Sequence, residues 1–356
     1  PVLAADGGKA LLVWTKSEGL SFTYGGEMDE LRSSANTDSL YFSFWDGSNW
    51  SAPEEIEGSL PYVYDSGLTI NGTEGLLLYT LDMDNDLTTQ DDREVYYRLY
   101  DGTAWSEAVR LSVNDVEDLA PRAVNVNGEW FVIWHLNGNV VYKTGLGEEV
   151  KNGEFLANMP VSYRIAVMKG ENPQLALIYV TAGENDTNSL AASFYDINKG
   201  VWSDIIALGK NEGYIRSFSS VFMKEGTLKV VYTQAVVIKE VVEDIEFFMP
   251  SDKVDLMMLS YTPFHDLNFD EENGLMLVPS IPVQGAQTKT WAVVNNNGDF
   301  TENAKLCVYD GEPDEGRLIG IVETQEPIPA RGAALMELNW QVGLEERDRY
   351  KLYAVI

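Results

Sequence analysis

Cysteine and histidine are nearly missing from this chain: Cys307, His135 and His265 are the only ones in 356 residues. A lone cysteine excludes an intramolecular disulfide, and two histidines exclude a histidine-rich zinc centre. A Ser-His-Asp triad would have to use one of those two positions. Basic residues are scarce too. Against 25 Lys and Arg stand 56 Asp and Glu, a formal net charge of −31. Such a surface repels phosphate backbones and anionic lipid, which argues against nucleic-acid binding and direct membrane insertion. It also offers many oxygen ligands to hard cations. No stretch approaches the roughly 18 uninterrupted apolar residues of a transmembrane helix, and no segment carries a convincing amphipathic helical period.

Apolar residues make up 45% of the chain and include nine tryptophans, enough for large buried cores and too much for a disordered protein. One phrase occurs twice and is then paraphrased: LYFSFWDGSNWSAP at 40–53, VYYRLYDGTAWSEA at 95–108 and ASFYDINKGVWSDI at 192–205. Each is an alternating aromatic and aliphatic strand, an Asp-containing turn, and Trp-Ser. A repeat of roughly 40–50 residues built from short strands is the signature of a propeller blade.

The recurring order is an inner strand, an apolar strand, the aromatic strand and a short outer strand. Five blades can be laid out, and a sixth missing from the N-terminus is the alternative. PVLAAD, KALLVWTK, SLYFSFWD and WSAPEEI form the first. The outer strand of the third is degenerate, with GEFLAN as its candidate. The fifth offers IRSFSSVFMKEG, LKVVYTQAVV and VDLMMLSYTP. After residue 264 the grammar changes to alternating strands with Asn-Gly and Asp-Gly turns, the pattern of a β-sandwich. The expectation is therefore an all-β chain in two domains, a β-propeller over 1–264 and an immunoglobulin-like sandwich over 265–356. The start at Pro1 and the end inside the strand-like YKLYAVI read as those of a piece of a longer protein.

The blade grammar resembles that of Asp-box (bacterial neuraminidase repeat) propellers, found in sialidases and in many non-enzymatic secreted proteins. It departs in one respect: Asp46-Gly47 and Asp101-Gly102 are adjacent, where the usual box puts one residue between them. The C-terminal segment resembles the cell-adhesion-related bacterial domain, CARDB. Val293-Val294-Asn295, Asn297-Gly298-Asp299, Val308-Tyr309-Asp310-Gly311, Ile319-Gly320 and Leu338-Asn339-Trp340 carry that likeness. The resemblance implies adhesion, display or spacing at a cell surface, and no catalytic residues.

Two sets of side chains stand out. In LDMDNDLTTQDDRE, Asp82, Asp84 and Asp86 alternate within a loop, and Asp91 or Asp92 would close an oxygen cage around a structural Ca2+. The loop is not an EF-hand, because Leu87 and Arg93 stand where glycine and glutamate belong. A solvated acidic loop is the plainer alternative. GENDTN at 183–188 and NDVED at 114–118 are weaker acidic candidates. Arg122, Arg164 and Arg216 hold matching places in three inner strands, with Tyr62 at the corresponding place in the second blade. Inner strands line a propeller's channel, so these groups would gather at one mouth and bind an anion. Pairing of each arginine with a neighbouring acid is the alternative. Sialidase-like catalysis would further need a Tyr–Glu nucleophile pair and an acid Asp; Tyr62, Tyr64 and Tyr214 are available tyrosines. The recurring Trp45, Trp50, Trp105 and Trp202 are expected to pack blade on blade. Residues 15–38 and 236–252 break the repeat as long loops, and Phe247, Phe248 and Met249 there suit docking to another subunit or module.

The expected role is a non-catalytic binding or adhesion module, calcium-stabilised, secreted or at a prokaryotic cell surface. Its partners would be glycans or proteins, with self-association open. The alternatives are a sialidase-like enzyme on acidic glycans and a structural subunit of a surface layer or filament.

Overall fold

The computed structural model of the protein describes residues 1–17, 20–24, 31–35, 37–147, 151–152, 162–170, 173–185, 187–209, 213–242, 245–272, 274–344 and 351–356. All regular elements among them are strands. Five antiparallel sheets follow one another as propeller blades. Blade one is Val2–Asp6, Lys9–Ser17, Asp38–Trp45 and Glu54–Leu60. Blade two is Tyr62–Asn71, Glu74–Asp82, Arg93–Tyr100 and Val109–Arg110. Blade three is Asp118–Val126, Glu129–Leu136, Asn139–Thr144 and Lys151–Asn152. Blade four runs Ser162–Met168, Gln174–Ala182, Asn188–Asp196 and Val201–Trp202, with Ile206–Ala207 added to its third strand. Blade five has three strands, Tyr214–Phe222, Leu228–Val242 and Ile245–Tyr261. The outer strand of blade three is thus Lys151–Asn152; the GEFLAN stretch lies outside the described residues.

The second strand of each middle blade is apolar because both of its faces are covered. In Glu74–Asp82, Leu77, Tyr79 and Leu81 enter the core shared with blade one. Leu76 and Leu78 point the other way, into the core shared with blade three. Gln174–Ala182 repeats this: Leu175, Leu177 and Tyr179 face blade three, while Ala176, Ile178 and Val180 face blade five. Period-two alternation with no polar face is what a strand buried on both sides requires.

The repeated phrase is a repeated hydrogen-bond device. Asp46 Oδ1 accepts the N–H groups of Ser48 and Asn49 at 2.7 and 2.8 Å. Asp101 Oδ1 takes those of Thr103 and Ala104, and Asp196 Oδ1 those of Asn198 and Lys199. The serine after each tryptophan accepts a strand N–H: Phe44 to Ser51, Leu99 to Ser106 and Phe194 to Ser203. Each Asp-turn-Trp-Ser unit thereby closes its own turn through donors that would otherwise go unmet.

Neighbouring inner strands approach closely. A Cβ built on Gly67 in blade two would lie 2.3 Å from the Pro121 carbonyl oxygen of blade three, so only glycine admits this spacing. Trp105 packs edge-on against Phe42 of blade one at 5.7 Å, and Trp202 against Tyr142 of blade three at 5.7 Å. Trp50 departs from the expectation that it packs on a neighbouring blade. It is 45% exposed, and among the described residues its ring meets, at a tilt, only that of Trp45 beside its own turn, because no described sheet precedes blade one on that side. The far face of blade five is bare as well, with Val221, Leu256 and Met258 all more than half exposed. Among the described residues, four hydrophobic clusters fill the four seams from blade one to blade five, and none joins blade five back to blade one.

The two expected long loops are ladders. Leu20–Tyr24 pairs with Leu31–Ala35, and the fifth blade's last two strands stay paired through Val242 and Ile245. The β-branched run of VVIKEVV, rich in valine and isoleucine, continues the strand past the end of the blade.

Beyond Tyr261 two further sheets face each other. One contains Leu267–Phe269, Met276–Val278, Gln287–Asn296 and Ala333–Gln341; the other contains Arg317–Glu323, Lys305–Asp310 and Leu352–Val355. Ala292, Val294 and Met336 of the first meet Leu306 and Val308 of the second in one core. This sandwich is docked on the propeller. Phe300, fully buried, belongs to the core between blades four and five and bridges to Ser203. His265 stacks on Phe300 at 4.3 Å, and Lys199 of blade four reaches Glu302 at 2.7 Å.

Candidate functional site

Inner-strand starts and second-to-third strand turns emerge at the same end of each blade, because both lie at the beginning of the first strand and the end of the second. At this end the inner strand of blade two has a β-bulge between Val63 and Asp65, that of blade three between Leu119 and Arg122, and that of blade five between Ile215 and Ser217. A bulge re-aims the side chain it carries, and here it decides which arginines meet.

Arg122 and Arg164 share a neighbourhood. Arg122 Nη1 donates to the carbonyls of Pro121 and Ser66 at 2.7 and 3.0 Å and lies 3.6 Å from Asp65 Oδ1. Arg164 Nη1 donates to the Tyr163 carbonyl at 2.8 Å, and its guanidinium stands 5.6 Å from the centre of the Phe218 ring. Partial burial, followed by the charge of Arg122, pulls the Arg164 guanidinium below its usual range, with Asp65 opposing. Among the described residues Arg164 forms no ion pair. Beneath them His135 is buried, its ring 5.0 Å from that of Tyr163. Burial and then the Arg122 charge push its pKa down to about 4, so it is neutral at pH 7. Tyr163 is no free acid or nucleophile: its hydroxyl donates to the Ala120 carbonyl, lies 3.3 Å from that of Ile133, and burial raises its pKa.

Arg216 does not join this pair, which corrects the expectation of three converging arginines. It occupies the bulge of blade five, is exposed, and donates to the Ser251 carbonyl of its own blade at 2.7 Å. Tyr62 is drawn instead towards the acidic loop. Its backbone N–H donates to Asn85 Oδ1 at 2.7 Å and its ring meets Tyr64 edge-on. Neither Asp65 nor a role for His135 is legible in the sequence. Asp65 is placed by a bulge that leaves no trace in residue pattern, and His135 sits in EWFVIWHL, which reads as plain core.

The acidic loop brings together part of its expected set. Asp82, Asp84 and Asp92 each place a carboxylate oxygen within 4.8 Å of the others. Asp86 and Asp91 stand outside the group; Asp86 Oδ1 is taken by the Thr88 N–H and hydroxyl. Arg93 is buried against the cluster, 3.2 Å from Asp82 Oδ2 and 2.6 Å from Glu117, with its guanidinium 4.3 Å from the centre of the Tyr64 ring. Burial raises the Asp82 pKa; the Asp92 and Asp84 charges add to this and Arg93 opposes it. The two weaker acidic candidates differ. In NDVED, Asp118 is spent on the Asn114 amide and the Trp134 indole N–H, and Asp186 of GENDTN lies outside the described residues.

No protein-family model and no curated protein matches the chain, so neither the Asp-box nor the CARDB resemblance gains support there. Solved structures are similar to it in fold. One is an exo-β-1,3-galactanase from Phanerochaete chrysosporium, 11% identical at a TM-score of 0.36, covering 99% of this chain and 94% of that one. The Trypanosoma rangeli sialidase in complex with sialic acid is 14% identical at 0.38, covering 84% of this chain and 52% of that one. An ulvan lyase of a polysaccharide-lyase family is 10% identical at 0.40, covering 97% and 92%. At this identity the likeness is one of fold.

Proposed function

We propose that this protein binds acidic glycans at the channel mouth, with Arg122 and Arg164 holding a carboxylate. The observation that supports this reading best is electrostatic. Two guanidiniums share one aspartate, and Arg164 has no ion-pair partner among the described residues. In a chain with 56 acidic residues, such a cation stands out. A planar carboxylate accepts two parallel N–H bonds from one guanidinium, which makes sugar acids a fitting ligand class.

Binding without turnover is the main reading. A sialidase-like mechanism asks for a tyrosine activated by a carboxylate, and the tyrosine nearest the arginines spends its hydroxyl on backbone carbonyls. Adhesion or display at a prokaryotic cell surface is the setting in which such a binder would act. A second reading, an enzyme acting on acidic glycans, is favoured by Asp65, a carboxylate beside the two arginines that could move a proton. Glycan-array binding followed by titration of a sialylated and a uronate-containing oligosaccharide tests both. The expected result is binding to one acidic class, weakened at least tenfold by Arg164→Ala, with no release of product. Absence of any Arg164-dependent signal from acidic glycans sinks the site; product release abolished by Asp65→Asn replaces the first reading with the second.

A further inference from the structure

We propose that the turn between the second and third strands of blade two is a calcium site, with Asp82, Asp84 and Asp92 as its protein ligands. The three carboxylates alone would not establish it, since acidic loops on an acidic protein are common. The second observation is what lies buried. Asp82 is fully inaccessible, and among the described residues its Oδ1 has no hydrogen-bond partner; Asp92 Oδ1 is likewise buried and unpartnered among them. A buried carboxylate oxygen that meets no protein donor is a costly arrangement, and a bound cation removes that cost.

The loop's own hydrogen bonds hold the carboxylates in position and leave these oxygens open. Asp92 Oδ2 accepts the Asp84 N–H at 2.7 Å, which fixes Asp92 with its other oxygen directed away. Asp84 Oδ1 accepts the Asp86 N–H at 2.7 Å, and Asp84 Oδ2 receives only the Thr89 hydroxyl at 3.4 Å. Asn85, in the left-handed region at φ 60°, makes the bend between Asp84 and Asp86 and ties the loop to the inner strand through the Tyr62 N–H. Among the described residues Arg93 is the only cation paired to the group, and Glu117 shares it. Set against that one shared guanidinium, at least two of the three carboxylate charges remain uncompensated in a partly enclosed space.

The donor set identifies the metal. All three ligand atoms are carboxylate oxygens, which select a hard cation over zinc or copper. The ligands come from positions 82, 84 and 92 of an irregular turn, a shape that suits calcium's flexible six-to-eight coordination better than the strict octahedron of magnesium. Backbone carbonyls and water would complete the shell. With so few charged ligands the dissociation constant should be on the order of 10⁻⁴ M, as in weak calcium modules.

The test is calorimetric titration of CaCl2 into EDTA-treated, dialysed protein with no glycan present, paired with thermal melts in CaCl2 and in EDTA. Calcium should bind with one-to-one stoichiometry and raise the melting temperature. Asp92→Asn and the exposed Asp84→Asn should each weaken binding at least tenfold, while Asp91→Asn, outside the cluster, should leave it unchanged. No heat and no thermal shift in the unaltered protein would overturn the site. So would undiminished binding in both Asp84→Asn and Asp92→Asn, or equal binding of MgCl2. Because no glycan is present, these outcomes are independent of the channel-mouth reading.

Discussion

A methyl group on Gly67 would press into the Pro121 carbonyl oxygen at 2.3 Å, and neither backbone can yield without opening the seam between blades two and three. Gly67→Ala should therefore cost about 3 kcal/mol, at the upper end for overpacking, read as a lowered urea midpoint. Gly147→Ala, which meets nothing within 4 Å, should stay within about 0.5 kcal/mol of the parent. His135 makes a second prediction at this scale. Its pKa falls from the ordinary 6.5 to about 4 on folding. Between those values the unfolded chain binds a proton that the folded chain refuses, so stability drops as pH falls through the window. Its share of that loss reaches about 3 kcal/mol below pH 4. His135→Phe, which keeps a ring against Tyr163, should flatten this part of the stability–pH curve; an unchanged slope would show that the carboxylates alone produce it.

The elements differ in how much holds them. Glu74–Asp82 has a blade on each side, and all but its first residue are buried. Ile245–Tyr261 is the outer strand of a blade with one bare face, and most of its residues are exposed. Hydrogen exchange should accordingly release the amides of Ile245–Tyr261 well before those of Glu74–Asp82, since local opening follows buried apolar contact. These two strands also mark how far the sequence could be read. GLLLYTL and LALIYVT announce buried strands, and the Asp-turn-Trp-Ser phrase announces its hairpins, because both depend on neighbours close in the chain. The arginine pair was legible only in part. Equivalent places in the repeat suggested three converging guanidiniums, but Arg216 sits on a bulge, a one-residue slip in pairing that composition does not record. Asp65 was invisible because its partner Arg122 lies in the next blade, and Arg93 because its pairing with Asp82 is set by the register of two strands that a long turn separates. In the acidic loop the alternating aspartates were readable, whereas the selection of Asp92 over Asp86 and Asp91 followed from backbone hydrogen bonds of the folded turn.

At the scale of the whole molecule, propeller and sandwich are held together by buried apolar surface as well as by charge. Phe300 leaves the sandwich to fill the core between blades four and five, and Tyr261 donates to Asp299 at 2.9 Å beside it. Phe300→Ala should cost roughly 3–5 kcal/mol by the usual measure for a buried ring. It should also split thermal unfolding from one calorimetric transition into two, one for each half; a single transition at the parent's enthalpy would count against coupling through this side chain. The exposed Lys239–Glu246 pair on the blade-five hairpin should, by contrast, be dispensable, with Lys239→Ala changing stability by less than about 1 kcal/mol.

Phe300 also limits how such a chain can be shuffled in evolution or trimmed at the bench. Excising the first 264 residues would not liberate an independent cassette, because an aromatic socket between its last two blades would stand empty and greasy. The reverse cut would leave the C-terminal half carrying a naked phenyl ring with nowhere to hide. Fusion partners and truncation boundaries should therefore be chosen outside this pair, treating the two halves as a single heritable part.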